Sequence, residues 1–416
     1  MPPIRTETQR KDRDTIAVLG AGLFTNGVWD MLSVVVPLYG VAVGLNPAEI
    51  GLVVSARSVL PAALSIHGGI LMDELGIRRV LKWVALGSAA LPLLYPISGW
   101  FSVLVVLQLL LGLASSLGMA ASQTWSLQTS HGDTAMLARF SVVSRIGTFL
   151  GPVVVGAAWD LFGAWVAFAC VALCGAGIVA AASYGASGGA TPAPAPHAVS
   201  ALVPRWEQHK QALLLAAIPA VAFILAVSFL RNASGAIQAS LYVVYLDGIG
   251  LSGTAIGLLV SASELFGVFG SLAAAPLERK IRGDRLMLLC IAASVAAIAV
   301  TPLVGAFLAL LFVASAVRGL GQGISQPLMY SILSHAAPAT RHGASIGLRN
   351  AVVRLASIVT PTAMGIIAEA WSIEASFYVM GAAFLIATTA LAVVAGRALS
   401  GAKPAVADEK RATRNP

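Results

Sequence analysis

Residues 44–58 read GLNPAEIGLVVSARS and residues 250–264 read GLSGTAIGLLVSASE. A shift of 206 residues places Gly44-Leu45 on Gly250-Leu251, Ile50-Gly51-Leu52 on Ile256-Gly257-Leu258, and Ser55-Ala56 on Ser261-Ala262. Upstream, the same shift pairs Asn26 with Asn232 and Tyr39 with Tyr245. A shift of 209 then pairs Arg145 with Arg354, Pro152 with Pro361, Gly156 with Gly365 and Asp160 with Glu369. Chance matches among Ala, Gly and Leu are common in an apolar chain, but paired Asn, Arg, Pro and acidic positions are not. The chain is a duplication, and its fold is two copies of one unit.

Composition fixes the surroundings of that unit. Of 416 residues, 58% are hydrophobic and 11% charged, and the mean hydropathy is +0.86. Soluble domains carry roughly 25% charged residues, so the exterior of this chain faces lipid. Three cysteines frame no disulfide scaffold. The net charge of +8 is dealt out in small groups between apolar runs, which excludes a nucleic-acid-binding patch. Residues 1–14 are polar, and the apolar stretch after them is longer than a secretory signal, predicting an uncleaved first span.

With roughly 20 apolar residues per crossing as the ruler, Gly, Pro and charges punctuate the chain into twelve spans. They fall at 15–44, 48–71, 80–98, 102–128, 138–159, 164–184, 212–246, 254–277, 286–302, 306–333, 343–368 and 375–397. The expected class is an all-α membrane protein of two pseudo-symmetric six-helix bundles. Its predicted parts are an N-terminal bundle over 1–184, a linker over 185–211, a C-terminal bundle over 212–397 and a tail over 398–416. The linker is small, Pro-rich and then polar (GASGGATPAPAPHAVSALVPRWEQHKQ), as a flexible connection is. Placing the N-terminus inside puts 20 of the 26 basic residues in cytoplasmic segments, while the outer turns carry only Glu49, Asp160, Asp247, Glu369 and Glu374. The positive-inside rule thus predicts a multi-pass protein of the cell membrane, the inner membrane in a bacterium, with both termini cytoplasmic.

Parallel six-helix repeats are a transporter architecture, with the substrate site near mid-membrane between the halves. Two motifs sharpen this. After span 2 the chain reads Gly69-Ile-Leu71-Met-Asp73-Glu-Leu-Gly76-Ile-Arg78-Arg79, and span 5 reads Gly147-Thr-Phe-Leu-Gly151-Pro152-Val-Val-Val-Gly156. The first resembles the loop signature G-x-L-x-D-R-x-G-R-x-R of the major facilitator superfamily, with Glu74 and Ile77 as departures. The second is similar to an element of that family's proton-exchanging exporters, with Ala138 and Val155 in place of two glycines. Gln108 stands where many relatives have an arginine. The resemblance implies the twelve-helix fold and transport by alternating access. It also implies gating by Gly69, Asp73, Gly76, Arg78 and Arg79, where Asp73 latches span ends together or is a solvated loop acid. Gly147, Gly151, Pro152, Gly156 and Pro361 bend or closely pack their helices.

Charges inside spans are the sharpest signal, because each costs a few kcal/mol unless it faces protein or water. Away from the span ends they are Asp30, Arg57, Arg145, Arg231, Glu264, Arg318, Arg349 and Arg354, and there spans 3, 6, 9 and 12 have none. By the resemblance those four spans are peripheral, so the charges ring a central cavity. Most lie about 13–22 Å into their spans. Asp30 and Glu264 are the expected proton carriers, the alternative being permanent bridges from Asp30 to Arg57 and from Glu264 to a neighbouring Arg. Six arginines against two acids leave an excess of +4, which calls for an anion. Arg57, Arg231 and Arg318 are the expected substrate ligands, assisted by Asn26, Asn232, Gln123, Trp125, Gln238 and Tyr242. Arg145 and Arg354 either join them or bind carbonyls freed near the prolines, and Arg349 snorkels.

The chain is expected to be no enzyme and to need no cofactor or metal. Its partners are a small-molecule substrate, protons and the bilayer, with no nucleic acid, and it works as a monomer. The expected activity is proton-coupled antiport exporting a small organic anion or related metabolite or drug. Proton symport importing a carboxylate or sugar acid is the alternative, and a non-transporting receptor the alternative of another class.

Overall fold

A computed structural model describes residues 7–130, 133–185, 217–336 and 342–399. The linker beyond Gly185 and the tail beyond residue 399 therefore lie outside the described residues, and so do the side chains of Asp73 and of residues 65–71. Within the described residues there is no strand.

The first half holds α1 (Glu7–Ala42), α2 (Pro47–Leu75), α3 (Ile77–Ala90), α4 (Phe101–Ser130), α5 (Thr134–Phe162) and α6 (Ala164–Tyr184). The second holds α7, α8 (Gly253–Glu278), α9 (Gly283–Ala299), α10 (Leu308–Ala336), α11 (His342–Ala370) and α12 (Ile373–Leu399). Helix α7 has three parts, Pro219–Ile237, a π turn over Gln238–Tyr242 and Val243–Gly248. Eleven of the twelve are long and apolar enough to cross a bilayer. The exception is α9, whose 17 residues stop at Val300 before a short turn Thr301–Val304. The expected span 286–302 is therefore a short helix with a separate turn. Helix α3 changes to a 3-10 helix over Leu91–Ile97, where Pro92 and Pro96 cannot donate α-helical hydrogen bonds.

The duplication is visible bond by bond. Helix α1 ends with the amide of Leu45 donating to the Gly40 carbonyl and that of Gly44 to Val41, while α7 ends with Leu251 to Leu246 and Gly250 to Asp247. Gly44 (φ 77°) and Gly250 (φ 85°) occupy the left-handed position that this helix stop requires and that glycine adopts without strain. Tyr39 meets the edge of Phe168 at 5.4 Å, and their counterparts Tyr245 and Phe377 meet at 5.7 Å.

Within the first bundle α1 packs on α5 and α6, α2 on α4, and α3 on α4 and α6. Within the second α8 packs on α10, α9 on α10 and α12, and α7 on α11. Two seams join the bundles, α2 to α11 and α5 to α8. Both run from the end of the molecule opposite the termini, the distal end, toward its middle. At the first, a methyl on Gly51 would strike the Pro361 carbonyl and one on Gly365 the Pro47 carbonyl. At the second, Gly257 meets the Pro152 carbonyl and Gly156 the Gly253 carbonyl in the same way. Backbones approach this closely only because no side chain intervenes.

Candidate functional site

Behind the seams lies a cavity of about 270 Å³, lined from both bundles by Trp29, Asp30, Arg57, Arg145, Arg231, Glu264 and Arg318, among others. It reaches toward the terminal end, where Ser271 and Gln326 line it. Counting 1.5 Å per residue from the distal ends of their helices sorts the charged groups by depth. Asp30, Arg57, Glu264 and Arg318 lie at about 15–18 Å, one acid and one arginine from each bundle. Arg145, Arg231 and Arg354 lie at about 24–26 Å and Arg349 at about 31 Å. The glycines of α10 make room for this arrangement: Gly319 packs against the Ser263 carbonyl and Gly323 against that of Gly267.

The arginines differ in how they are held. Arg57, 7% exposed, donates from Nη1 to the Trp29 carbonyl (3.0 Å), with its guanidinium 4.0 Å from the Trp29 ring centre. Arg354 stands 5.2 Å from the same ring and donates to Ser116 Oγ on α4 at 2.9 Å. Arg231 is held by α10: its Nε donates to Ser325 Oγ (3.1 Å) and its Nη2 to the Gln322 carbonyl (3.0 Å) and Gln326 Oε1 (3.3 Å). Gln322 returns a bond to the Arg231 carbonyl at 2.9 Å. Arg349 bonds to Tyr330 and Asn350, both at 3.2 Å, instead of reaching out to the interface. Arg318 is 5% exposed, and its Nη2 has no hydrogen-bond partner among the described residues. Arg145 is exposed to the cavity and has no hydrogen bond among the described residues, so it binds no carbonyl near Pro152.

The acids are not bridged. The only ion pair within 4 Å among the described residues is Arg282–Asp284, at the surface. Asp30 has Arg57, Glu264 and the Thr148 hydroxyl as neighbours, and Glu264 has Arg231 and Arg318, without a closed salt bridge in either case. The bridges expected as the alternative for Asp30 and Glu264 are therefore not formed in this conformation.

Several expected ligands point elsewhere. Asn26 bonds within its own helix to the Gly22 carbonyl (2.8 Å), whereas its counterpart Asn232 lines the cavity and ties α7 to α11 through the Val353 carbonyl (2.9 Å) and Ser357 Oγ (2.7 Å). Gln238 lines the cavity and donates to Ser263 at 3.3 Å. Tyr242 is buried against Ser315 at 3.4 Å. Gln123 is exposed, and Trp125 lies toward the terminal end with its ring 5.6 Å from the Arg78 guanidinium. Arg78 also donates to the carbonyls of Ala182 (3.1 Å) and Gly185 (2.6 Å), fastening the end of α6 inside its own bundle. Gly76 makes the α2–α3 corner at φ 84°, and Arg79 is exposed. On α5, Gly147 packs on the Leu23 carbonyl of α1, and Gly151 packs on Gly27 and Met31. The residues that sequence reasoning missed are Gln322, Ser325 and Gln326. Two glutamines four apart in an apolar span were the available signal, since that spacing puts both on one face.

The family model described as Major Facilitator Superfamily matches residues 18–299 and 223–415. Among solved structures, the nucleoside transporter NupG aligns over 91% of this chain and 98% of its own, with a TM-score of 0.75 and 14% identity. The peptide transporter POT in complex with sulfate aligns over 94% of this chain and 98% of its own, with a TM-score of 0.72 and 18% identity. No curated protein matches the sequence. Identities this low speak for the fold alone, while the family match spans both halves of the duplication. The chain belongs to the Major Facilitator Superfamily and is a multi-pass membrane transporter, not an enzyme.

Proposed function

We propose that the protein carries a small organic anion across the membrane together with protons, by alternating access of the central cavity. The observation that carries this is the unbridged cation excess: Arg57, Arg145, Arg231 and Arg318 line the cavity against Asp30 and Glu264 alone. Unpaired buried charge is costly, and a visiting anion relieves it. The cavity of about 270 Å³ lies below the roughly 300–1,000 Å³ of sites for drug-sized ligands. A compact metabolite fits that volume better than a drug does.

Electrostatics selects between symport and exchange. Protonating Asp30 or Glu264 removes a negative charge from the cavity and strengthens its hold on an anion. By linkage the bound anion strengthens proton binding equally. Sites that favour each other's occupancy move their ligands together, so the symport alternative is better supported than proton-exchanging export. Export rests on the α5 glycine–proline pattern, whose glycines serve here to pack α5 on α1 and α8. With the termini in the cytoplasm, as the basic residues favour, the seams close the outer side and the cavity extends inward.

Purified protein in liposomes with an internal pH dye tests this. External carboxylates should acidify the lumen, and Asp30→Asn should abolish acidification while binding of the anion persists. Alkalinisation on adding the anion would instead establish exchange, and a response only to cations would overturn the anion assignment.

A further inference from the structure

The eight charged groups do not form one cluster. The deeper tier, Asp30, Arg57, Glu264 and Arg318, is balanced, two acids against two arginines. Toward the terminal end, at about 24–26 Å from the distal ends, the tier contains only arginines. Arg354 in that tier is occupied with Ser116 and the Trp29 ring. Two arginines are left facing the cavity: Arg145 on α5 of the first bundle, without a hydrogen bond among the described residues, and Arg231 on α7 of the second.

We propose, on the basis of the anion–proton reading above, that Arg145 and Arg231 are the two halves of a substrate clamp for a short dicarboxylate. In this division of labour the deeper quartet of Asp30, Arg57, Glu264 and Arg318 is the proton-coupling tier. Arg231 is preorganised for this task. Its Nε and Nη2 are fixed by Ser325, Gln322 and Gln326, which orients the guanidinium plane and leaves Nη1 without a hydrogen bond among the described residues. A planar guanidinium on each side of the cavity matches one carboxylate on each end of the ligand. Two cations without a closed salt bridge call for an anion with two negative charges, and the 270 Å³ volume calls for a short chain between them. The clamp joins opposite bundles on the terminal side of the coupling tier, so a dicarboxylate held at both ends draws that side together. A monocarboxylate satisfies one arginine and leaves the other bare. Glu264 neighbours both Arg231 and Arg318, which places one carboxyl where it senses both tiers.

The test is equilibrium binding of radiolabelled succinate and butyrate to the full chain in lipid nanodiscs, for wild type, Arg145→Gln and Arg145→Lys, with thermal melting of each as the folding control. Arg145 is exposed to the cavity, so its replacement should leave melting unchanged. A lost charge-assisted contact is worth about tenfold or more in affinity. Succinate should therefore bind wild type at least about tenfold tighter than butyrate, and Arg145→Gln should remove that advantage by weakening succinate far more than butyrate. Arg145→Lys should restore only part of it, because an ammonium keeps the charge and loses the fork. Equal binding of the two anions, indifferent to Arg145, would overturn the clamp and leave anion–proton symport standing. Binding of neither anion by a normally melting protein would overturn both.

Discussion

Where α2 meets α11, Ser55 Oγ donates to the Ile358 carbonyl at 2.8 Å, and where α5 meets α8, Ser261 Oγ donates to the Phe149 carbonyl at 2.6 Å. Each atom of the first contact has its repeat-equivalent in the second, and so do the glycines and prolines around it. The seams part company at the distal end. Helix α2 caps itself: Glu49 N donates to Asn46 Oδ1 (2.8 Å), and Asn46 N donates to Glu49 Oε2 (3.0 Å). Helix α8 has its own N-cap, Ser252 Oγ accepting from the Ala255 amide at 3.2 Å, and gains a second from across the seam, where Asp160 of α5 accepts from the amides of Gly253 and Thr254, both at 2.7 Å, and from the Thr254 hydroxyl at 2.6 Å. Glu369, the counterpart of Asp160, is exposed and has no hydrogen bond among the described residues; the counterpart of Gly253 is Pro47, which has no amide hydrogen to donate. Opening the distal end therefore breaks a cross-seam cap on one side only. Duplication preserved the packing and the serine–carbonyl bond of both seams and left the cross-seam helix cap on α5–α8 alone.

That contrast can be broken or sharpened by substitution. The largest effect is expected at the shared glycines, since Gly51→Val and Gly257→Val each force a side chain into a carbonyl of the facing helix. Each should cost up to about 3 kcal/mol of overpacking and abolish distal closure, read as lowered melting and as labelling of distal cysteines. Tolerance of one but not the other would show that the seams are not equivalent even in packing. Next comes Asp160→Ala, which should shift the balance toward distal opening by about 1–2 kcal/mol, roughly tenfold in population, measured as spin-label distances between the bundles. Glu369→Ala should leave those distances unchanged.

Asn46→Ala should cost about 1 kcal/mol of stability without altering the distances, because the α2 cap persists whether the seam is open or closed. A distance change in this variant would show that self-capping also reports on the seam. Smallest are Ser55→Ala and Ser261→Ala, each about 0.5–1.5 kcal/mol by thermal or denaturant melting, and similar to one another if the two copies carry equal load.

Much of this was legible beforehand, and the reasons are local. Span positions follow from apolar length, and the recurrence of the Tyr39–Phe168 contact as Tyr245–Phe377 follows the two shifts of the repeat. The depth of each charged residue follows from counting along its helix. Rotation about the helix axis does not follow from counting. Asn26 and Asn232 occupy one repeat position, yet one bonds to its own helix and the other to α11. Trp125 lies on a core span but faces Arg78 near the end of α6, away from the cavity. The loop arginine Arg78, expected to gate the protein, donates to carbonyls at the end of α6 within its own bundle, a contact that the loop motif does not announce. The π turn at Gln238–Tyr242, where Ser240 leaves helical geometry (φ −134°, ψ −106°), has no counterpart break in α1 and no composition to announce it.

The sequence by itself determined that this protein crosses the membrane as a duplicated set of helices with charges buried at mid-depth. Apolar length, repeat spacing and the energetic cost of charge in lipid act on each segment separately, so a linear string suffices to read them. Only the tertiary structure decided that the acids stay unbridged, that Arg231 is braced while Arg145 is free, and that Asp160 alone caps a helix across a seam. Each of these depends on which side chains from distant segments arrive within about 3 Å of one another, the range over which a hydrogen bond is made or lost.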